Sequence, residues 1–308
     1  MIDSVKIKPV NFSKYEKYNI HKDCNINDIH IIQESKEFGF SIPSRVDIVY
    51  PMQSEANSND LKKAEKGQIV YGDTIFNRST TEFCRPDVDW RDLGSYLKEK
   101  YPSLDDVDLY CFAASTGEEA YSRVLALNHA YDDIQIKIDA SDIVQSRVDY
   151  AKEMQKNGIC LDTVGFYSLY SRLGMKIDEF KKYFNANGNN KVEISPEILN
   201  SVEFSKKNIL DSVDEFSSEK PSFIMARNMW PYVNPEFYQE FANELYEKLP
   251  LGSAIMIGGF DCDGEYINGN SDAFPSALIE AGFMPVKRGI GSMCNLKHKE
   301  RILIYEKN

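Results

Sequence analysis

Histidine is scarce in this chain: His21, His30, His129 and His298 are its four, and they are scattered. No HExxH helix and no zinc-like spacing of His and Cys occurs, so the sequence offers no protein metal site. The six cysteines, Cys24, Cys84, Cys111, Cys160, Cys262 and Cys294, contain no CxxC pair. Reduced, mostly buried thiols are the reading they support. Long apolar runs are also missing. Charge interrupts each one well before the roughly 18 residues that a membrane-spanning helix needs. The opening MIDSVKIKPVNFSKYEKYN lacks the apolar centre of a signal peptide. A cytoplasmic protein with no membrane insertion is therefore expected. Positive charge is in deficit, with 36 Lys and Arg against 48 Asp and Glu, a net of −12. Such a surface repels phosphate backbones and argues against nucleic acid as a partner.

What is present suffices for a substantial core. Hydrophobic residues make up 42% of the 308 and charged ones 27%, as in one large domain or one domain with a smaller addition. Residues 1–70 hold short apolar runs punctuated by Pro9, Pro43 and Pro51, and read as an accessory segment without assigned chemistry. From Val107 the pattern becomes regular. Val107–Ala114 is a buried-strand run, and Gly117–Tyr131 carries Ala120, Val124, Leu127 and Tyr131 at helical spacing. Ile134–Ile138 alternates as a strand and Val144–Lys156 reads as a helix. Val202–Ile209, Ser222–Ala226 and Ala254–Ile257 read as strands, and Glu236–Leu249 and Ser271–Ala281 as helices. Met284–Lys287 and Arg301–Tyr305 suit a closing antiparallel pair. The polar stretch Asn185–Asn190 suits a turn between two strands. Alternating strands and helices predict an α/β fold with a mainly parallel sheet covered on both faces. Ligands bind such sheets outside the carboxyl ends of the strands.

Two sequence features fall at such ends. Ala114-Ser115-Thr116-Gly117-Glu118-Glu119 follows the first strand. Gly117 permits a tight turn and close ligand approach, Ser115 or Thr116 can cap the helix, and Glu118 lies in its first turn. One glycine where a dinucleotide fingerprint has three, beside two carboxylates, disfavours a pyrophosphate and favours a cationic ligand with an ammonium and a sulfonium. Asp142 lies just past the second strand, 142 − 118 = 24 residues after Glu118. A carboxylate there can accept hydrogen bonds from both ribose hydroxyls; a helix N-cap is the alternative use of the same side chain. Asp261-Cys262-Asp263-Gly264-Glu265 has the look of a calcium loop, but its glycine falls early and the distal Glu is missing, so a solvated loop is expected.

Five segments in order carry a resemblance to a known family. They are Ser79-Thr80-Thr81-Glu82-Phe83-Cys84-Arg85, residues 115–122 (STGEEAYS), residues 140–143 (ASDI), the middle section Lys182–Asp211, and Ala226-Arg227-Asn228-Met229-Trp230-Pro231-Tyr232. Together they resemble the CheR family, bacterial chemotaxis receptor glutamate methyltransferases. The resemblance implies a Rossmann-like class I methyltransferase. Its fold would have a mostly parallel seven-stranded sheet with helices on both faces, a small β insertion near 181–207 and a divergent N-terminal segment before a catalytic domain over 71–308. It implies S-adenosylmethionine as cofactor. Ser79 would be a cofactor contact, Thr81 and Arg85 would lie over its methionine end and the methyl-transfer site, Glu118 at the amino group and Asp142 at the ribose. Asn208 and Ile209 would bracket the adenine, and Asn228 would close the pocket. Arg85 and Tyr232 would be the catalytic pair, Arg85 holding one oxygen of an acceptor carboxylate and Tyr232 pointing at the transferring methyl. Ser79 and Cys84 stand where the family usually has Asn and Phe, and Cys84 would widen the pocket. The acceptor implied is a protein or peptide carboxylate of chemoreceptor type. A small-molecule acceptor and a catalytically silent binding module are the alternatives.

Overall fold

The computed structural model describes residues 81–308 apart from Glu82, Pro86, 132–134, 162–171, 175–176, 188–190, 231–232, 234, 263–272, 289 and 291–301. The accessory segment 1–70, Ser79 and Tyr232 thus lie outside the described residues. Ten strands are described: β1 (Asp108–Phe112), β2 (Ile138–Asp142), β3 (Cys160–Leu161), β4 (Phe184–Asn187), β5 (Lys191–Ile194), β6 (Val202–Lys206), β7 (Ser222–Ala226), β8 (Ala254–Met256), β9 (Met284–Pro285) and β10 (Ile304–Glu306). Seven of them form one sheet in the order β6-β2-β1-β7-β8-β10-β9, and β3, β5 and β4 form a small antiparallel sheet. In the large sheet β6, β2, β1, β7 and β8 run parallel. β10 pairs antiparallel with both β8 and β9, the closing pair expected at the end of the sequence.

The alternation of side chains along each strand builds two cores, one per face. Leu109, Cys111, Phe223, Met225, Ala254 and Met256 point into the first. Helices α1 (Trp90–Lys100), α2 (Glu118–Ala130) and α3 (Gln145–Asn157) cover it with residues such as Trp90, Leu93, Val124, Leu127, Val148 and Ala151. Phe112, Ile224, Ala226, Ile255 and Ile257 point into the second core, where α6 (Tyr238–Lys248) and α7 (Ala273–Ala281) supply Phe241, Leu245, Phe274 and Leu278. Two short helices, α4 (Ile177–Tyr183) and α5 (Pro196–Leu199), flank the small sheet.

Three local expectations change. The second strand begins at Ile138 rather than Ile134, because its pairing with β6 starts at Ile138↔Val202 and with β1 at Asp139↔Tyr110. Neighbouring strands set its extent, and the local alternation does not. Asp142 is consequently the last residue of β2. Pro235 opens a 3-10 turn, Pro235–Phe237, and the α-helix follows only from Tyr238. Finally, α2 has Gly117 at its N-cap with no side-chain cap; Ser115 and Thr116 are engaged elsewhere.

Candidate active site

The carboxyl ends of β1, β2, β6, β7 and β8 lie side by side, and the strand order reverses between β1 and β7. The turn after β1 is tight. Ala113 and Ser115 have φ of 55° and 53°, and Gly117 has φ of 102°. The Ser115 N–H donates to Asp142 Oδ2 and the Val144 N–H to Asp142 Oδ1, both at 2.9 Å. Asp142 therefore orders two loops, and each of its oxygens keeps a lone pair for a further donor. Arg147 Nη1 donates to Ser115 Oγ at 2.9 Å, which ties α3 to the same turn. Burial raises the Asp142 carboxyl above its ordinary range, against the opposing pull of the Val144 N–H and the Arg147 charge. At Gly117 an added Cβ would sit 2.6 Å from Phe204 Cζ, so the turn tolerates no side chain.

Glu118 opens α2 as a half-buried carboxylate. Thr116 Oγ1 donates to its Oε2 at 2.6 Å. Burial raises its carboxyl, opposed by that hydrogen bond and by the charge of Arg85. Arg85 is itself half-buried. Its backbone is fixed by a bond from Trp90 Nε1 to its carbonyl at 3.0 Å. Cys84, just before it, has φ of 46°, donates its N–H to Ser122 Oγ at 2.7 Å and is fully buried in the first core. Its thiol fills core space.

At β6, Asn208 caps a 3-10 turn: Oδ1 accepts from Leu210 N at 3.2 Å and Nδ2 donates to Asp211 Oδ2 at 2.9 Å. Ile209 is packed into the second core. At β7, Asn228 has φ of 58°. Both polar atoms of its amide are buried without a hydrogen-bond partner, whereas the Thr81 hydroxyl is turned to the Glu118 carboxylate. Buried polar atoms rarely stay orphaned, so the Asn228 amide at the end of β7 is a candidate contact for a ligand's polar groups.

Sequence reasoning missed the charges beneath the cleft. Arg227 lies fully buried, with Nη2 2.5 Å from Asp87 Oδ2 and Nη1 2.9 Å from Glu119 Oε2. Burial acts to lower its pKa, but the two carboxylates outweigh this and raise it. Asp87 is held below its ordinary range because the charges of Arg227 and Arg85 outweigh its burial. Asp261, expected in a solvated loop, is 4% exposed and accepts three backbone N–H bonds. Arg227 was inside a quoted motif. No local spacing pointed to Asp87 or to the burial of Asp261; their partners, Arg227 for the one and Asn228 and Trp230 for the other, are distant in sequence. Among the described residues no group of three potential metal ligands exists, and no helix is long and apolar enough to cross a membrane.

These residues fit S-adenosylmethionine. Carboxylates at Glu118 and Asp142 suit an ammonium and ribose hydroxyls, the Gly117 turn allows close approach, and the orphaned Asn228 amide offers polar contacts. The sheet order is that of a Rossmann-like class I methyltransferase dependent on S-adenosylmethionine. The family model described as "CheR methyltransferase, SAM binding domain" matches residues 79–281, and the chain belongs to that family. A chemotaxis protein methyltransferase of Vibrio parahaemolyticus is 21% identical over 250 residues, covering 80% of this chain and 82% of that protein. Among solved structures, a protein from Corynebacterium glutamicum is 14% identical with a TM-score of 0.37, covering 72% of this chain and 82% of that one. An O-methyltransferase family 2 protein from Planctomyces limnophilus, in complex with apigenin, is 12% identical with a TM-score of 0.39, covering 72% and 56%.

Proposed function

We propose that this methyltransferase esterifies a glutamate carboxylate of a protein or peptide, in the cytoplasm. The observation that carries this reading is the half-buried Arg85, whose positive charge acts on Glu118 in the cleft. When bound, S-adenosylmethionine supplies a methyl group activated by its sulfonium. Thr81, Glu118, Asp142 and Asn228 would hold it, with Ser79, Asn208 and Ile209 completing the pocket. Arg85 would orient the acceptor by a charge-assisted hydrogen bond to one carboxylate oxygen, and Tyr232 would face the reacting groups. A carboxylate is ionised at neutral pH, so no general base is required. The protein's contribution is positioning. The Vibrio relative, named for chemotaxis, supports an acceptor of chemoreceptor type.

The test is transfer of labelled methyl groups from S-adenosylmethionine to glutamate-containing receptor fragments. A base-labile product that releases methanol, lost in Arg85→Ala while S-adenosylhomocysteine still binds within about threefold of wild type, is the expected result. Base-stable methylation, or transfer only to small molecules, would replace the glutamate acceptor with another.

A further inference from the structure

Asp261 lies in the 3-10 turn Gly259–Cys262 that follows β8. Its Oδ2 accepts the N–H groups of Gly258 and Asn228, each at 2.6 Å, and its Oδ1 accepts that of Trp230 at 3.1 Å. One carboxylate thus clasps the turn after β8 to the turn after β7. The β7 turn is braced on its other side. Trp230 Nε1 donates to the Ala226 carbonyl at 2.8 Å, and the indole stacks on Phe274 at 3.3 Å between centroids. Tyr238 Oη donates to the Trp230 carbonyl. Asn228 is the residue for which the clasp matters most. Its φ of 58° disfavours a side chain, yet Asp261 binds its own N–H. Gly258 comes so close that an added Cβ there would lie 2.2 Å from Asn228 Oδ1.

The geometry favours the ionised form of Asp261. Three N–H donors converge on it, and a carboxylate accepts at both oxygens, whereas a proton on it adds a donor among donors and uses up one of the lone pairs. The charged and titratable groups facing it are Arg227 on the β7 turn, itself paired with Asp87 and Glu119, and Tyr238 on α6. Burial lifts the Asp261 carboxyl to about 7, against the pull of the three N–H groups and of Arg227.

We propose that Asp261 is a positioning residue for cofactor binding: its ionised carboxylate holds Asn228 where it closes the S-adenosylmethionine pocket, and a proton on Asp261 loosens that pocket. This rests on the placement of Asn228 in the pocket proposed above. The experiment is calorimetric titration of S-adenosylhomocysteine into the full chain between pH 5.5 and 8.5, for wild type, Asp261→Asn, Asn228→Ala and the double variant, with folding checked by circular dichroism. At pH 8 each single variant should bind at least fivefold more weakly than wild type, and the double variant no more weakly than Asn228→Ala. Between pH 8 and 6 the wild type should lose at least fivefold more affinity than either single variant. Glu118 and Asp142 titrate in all four proteins, so the difference in slope reports Asp261. If Asp261→Asn fails to fold, the flattened slope of Asn228→Ala carries the same prediction. A folded Asp261→Asn with wild-type affinity and slope, additive losses in the double variant, or an Asn228→Ala slope equal to wild type overturns the inference. Wild type that binds no S-adenosylhomocysteine at any pH overturns the pocket itself.

Discussion

Asp142 and Glu118 both combine a carboxylate with surroundings that oppose its charge, because burial raises each above its ordinary range. A cationic ligand reverses that balance by favouring the ionised forms. S-adenosylmethionine should therefore bind more weakly as pH falls into the raised range of these carboxylates. Binding there should release protons, visible as a buffer-dependent heat in calorimetry. No dependence on buffer would show that neither carboxylate meets the ligand. Asp142→Ala should weaken S-adenosylhomocysteine at least tenfold, because it removes an acceptor that also orders the Ser115 and Val144 backbones. The placement of these two carboxylates at the ends of β1 and β2 was legible in the sequence, since a glycine turn and an acid a fixed distance on leave a local signature. Asp87 and Arg227 were not, because their partnership spans 140 positions and leaves no spacing to read. Asp261 carried a signature of the wrong kind, membership of an acidic run that looks solvated, whereas the fold buries Asp261 itself.

The turns at the strand ends share a conformational peculiarity. The four described non-glycine residues with positive φ are Cys84, beside Arg85, and Ala113, Ser115 and Asn228, in the turns after β1 and β7, and strained backbone often clusters at functional sites. Two substitutions separate strain from space. Ala113→Gly should stabilise the protein by about 0.5 kcal/mol, as relief of the left-handed penalty exceeds the entropy cost of glycine. Gly117→Ala should destabilise it by about 2 kcal/mol, since a Cβ would meet Phe204 at 2.6 Å, and should also abolish S-adenosylhomocysteine binding. Urea denaturation measures both, and a stabilised Gly117→Ala would refute the crowding argument. Most elements were legible, because their apolar periodicity matches the faces they bury. The start of β2 was not: Ile134–Ile138 alternates convincingly, but cross-strand pairing decides where a strand runs.

Over the whole molecule, the Asp87–Arg227–Glu119 cluster joins the segment before α1 to β7 and to α2, and the Gly259 N–H adds a bond to Asp87 at 3.3 Å. Removing one member leaves a buried charge short of a partner, so Asp87→Asn should cost about 3 kcal/mol at pH 7. The sign with pH follows from the depressed Asp87 pKa. Its contribution is complete above pH about 3.8 and is lost as pH falls through the native value. The stability gap between wild type and Asp87→Asn should therefore shrink on acidification below pH 4, and a gap that widens would contradict the assignment. Asp261 has the opposite sign: its raised pKa makes ionisation costly, so its contribution to stability declines as pH rises from about 4 to 7. The layered α/β class was legible from the alternation of elements. The charged seam was not, since it belongs to no single element.

The register of β1 against β7, from Asp108↔Ser222 to Phe112↔Ala226, also governs how the protein is made. During synthesis the central strand emerges long before its neighbour on one side. At roughly 5–20 residues per second, its open edge waits several seconds on the ribosome for β7 to be translated. Nascent chains halted before residue 222 should be protease-sensitive and bound by chaperones, whereas chains extended past β8 can close the middle of the sheet.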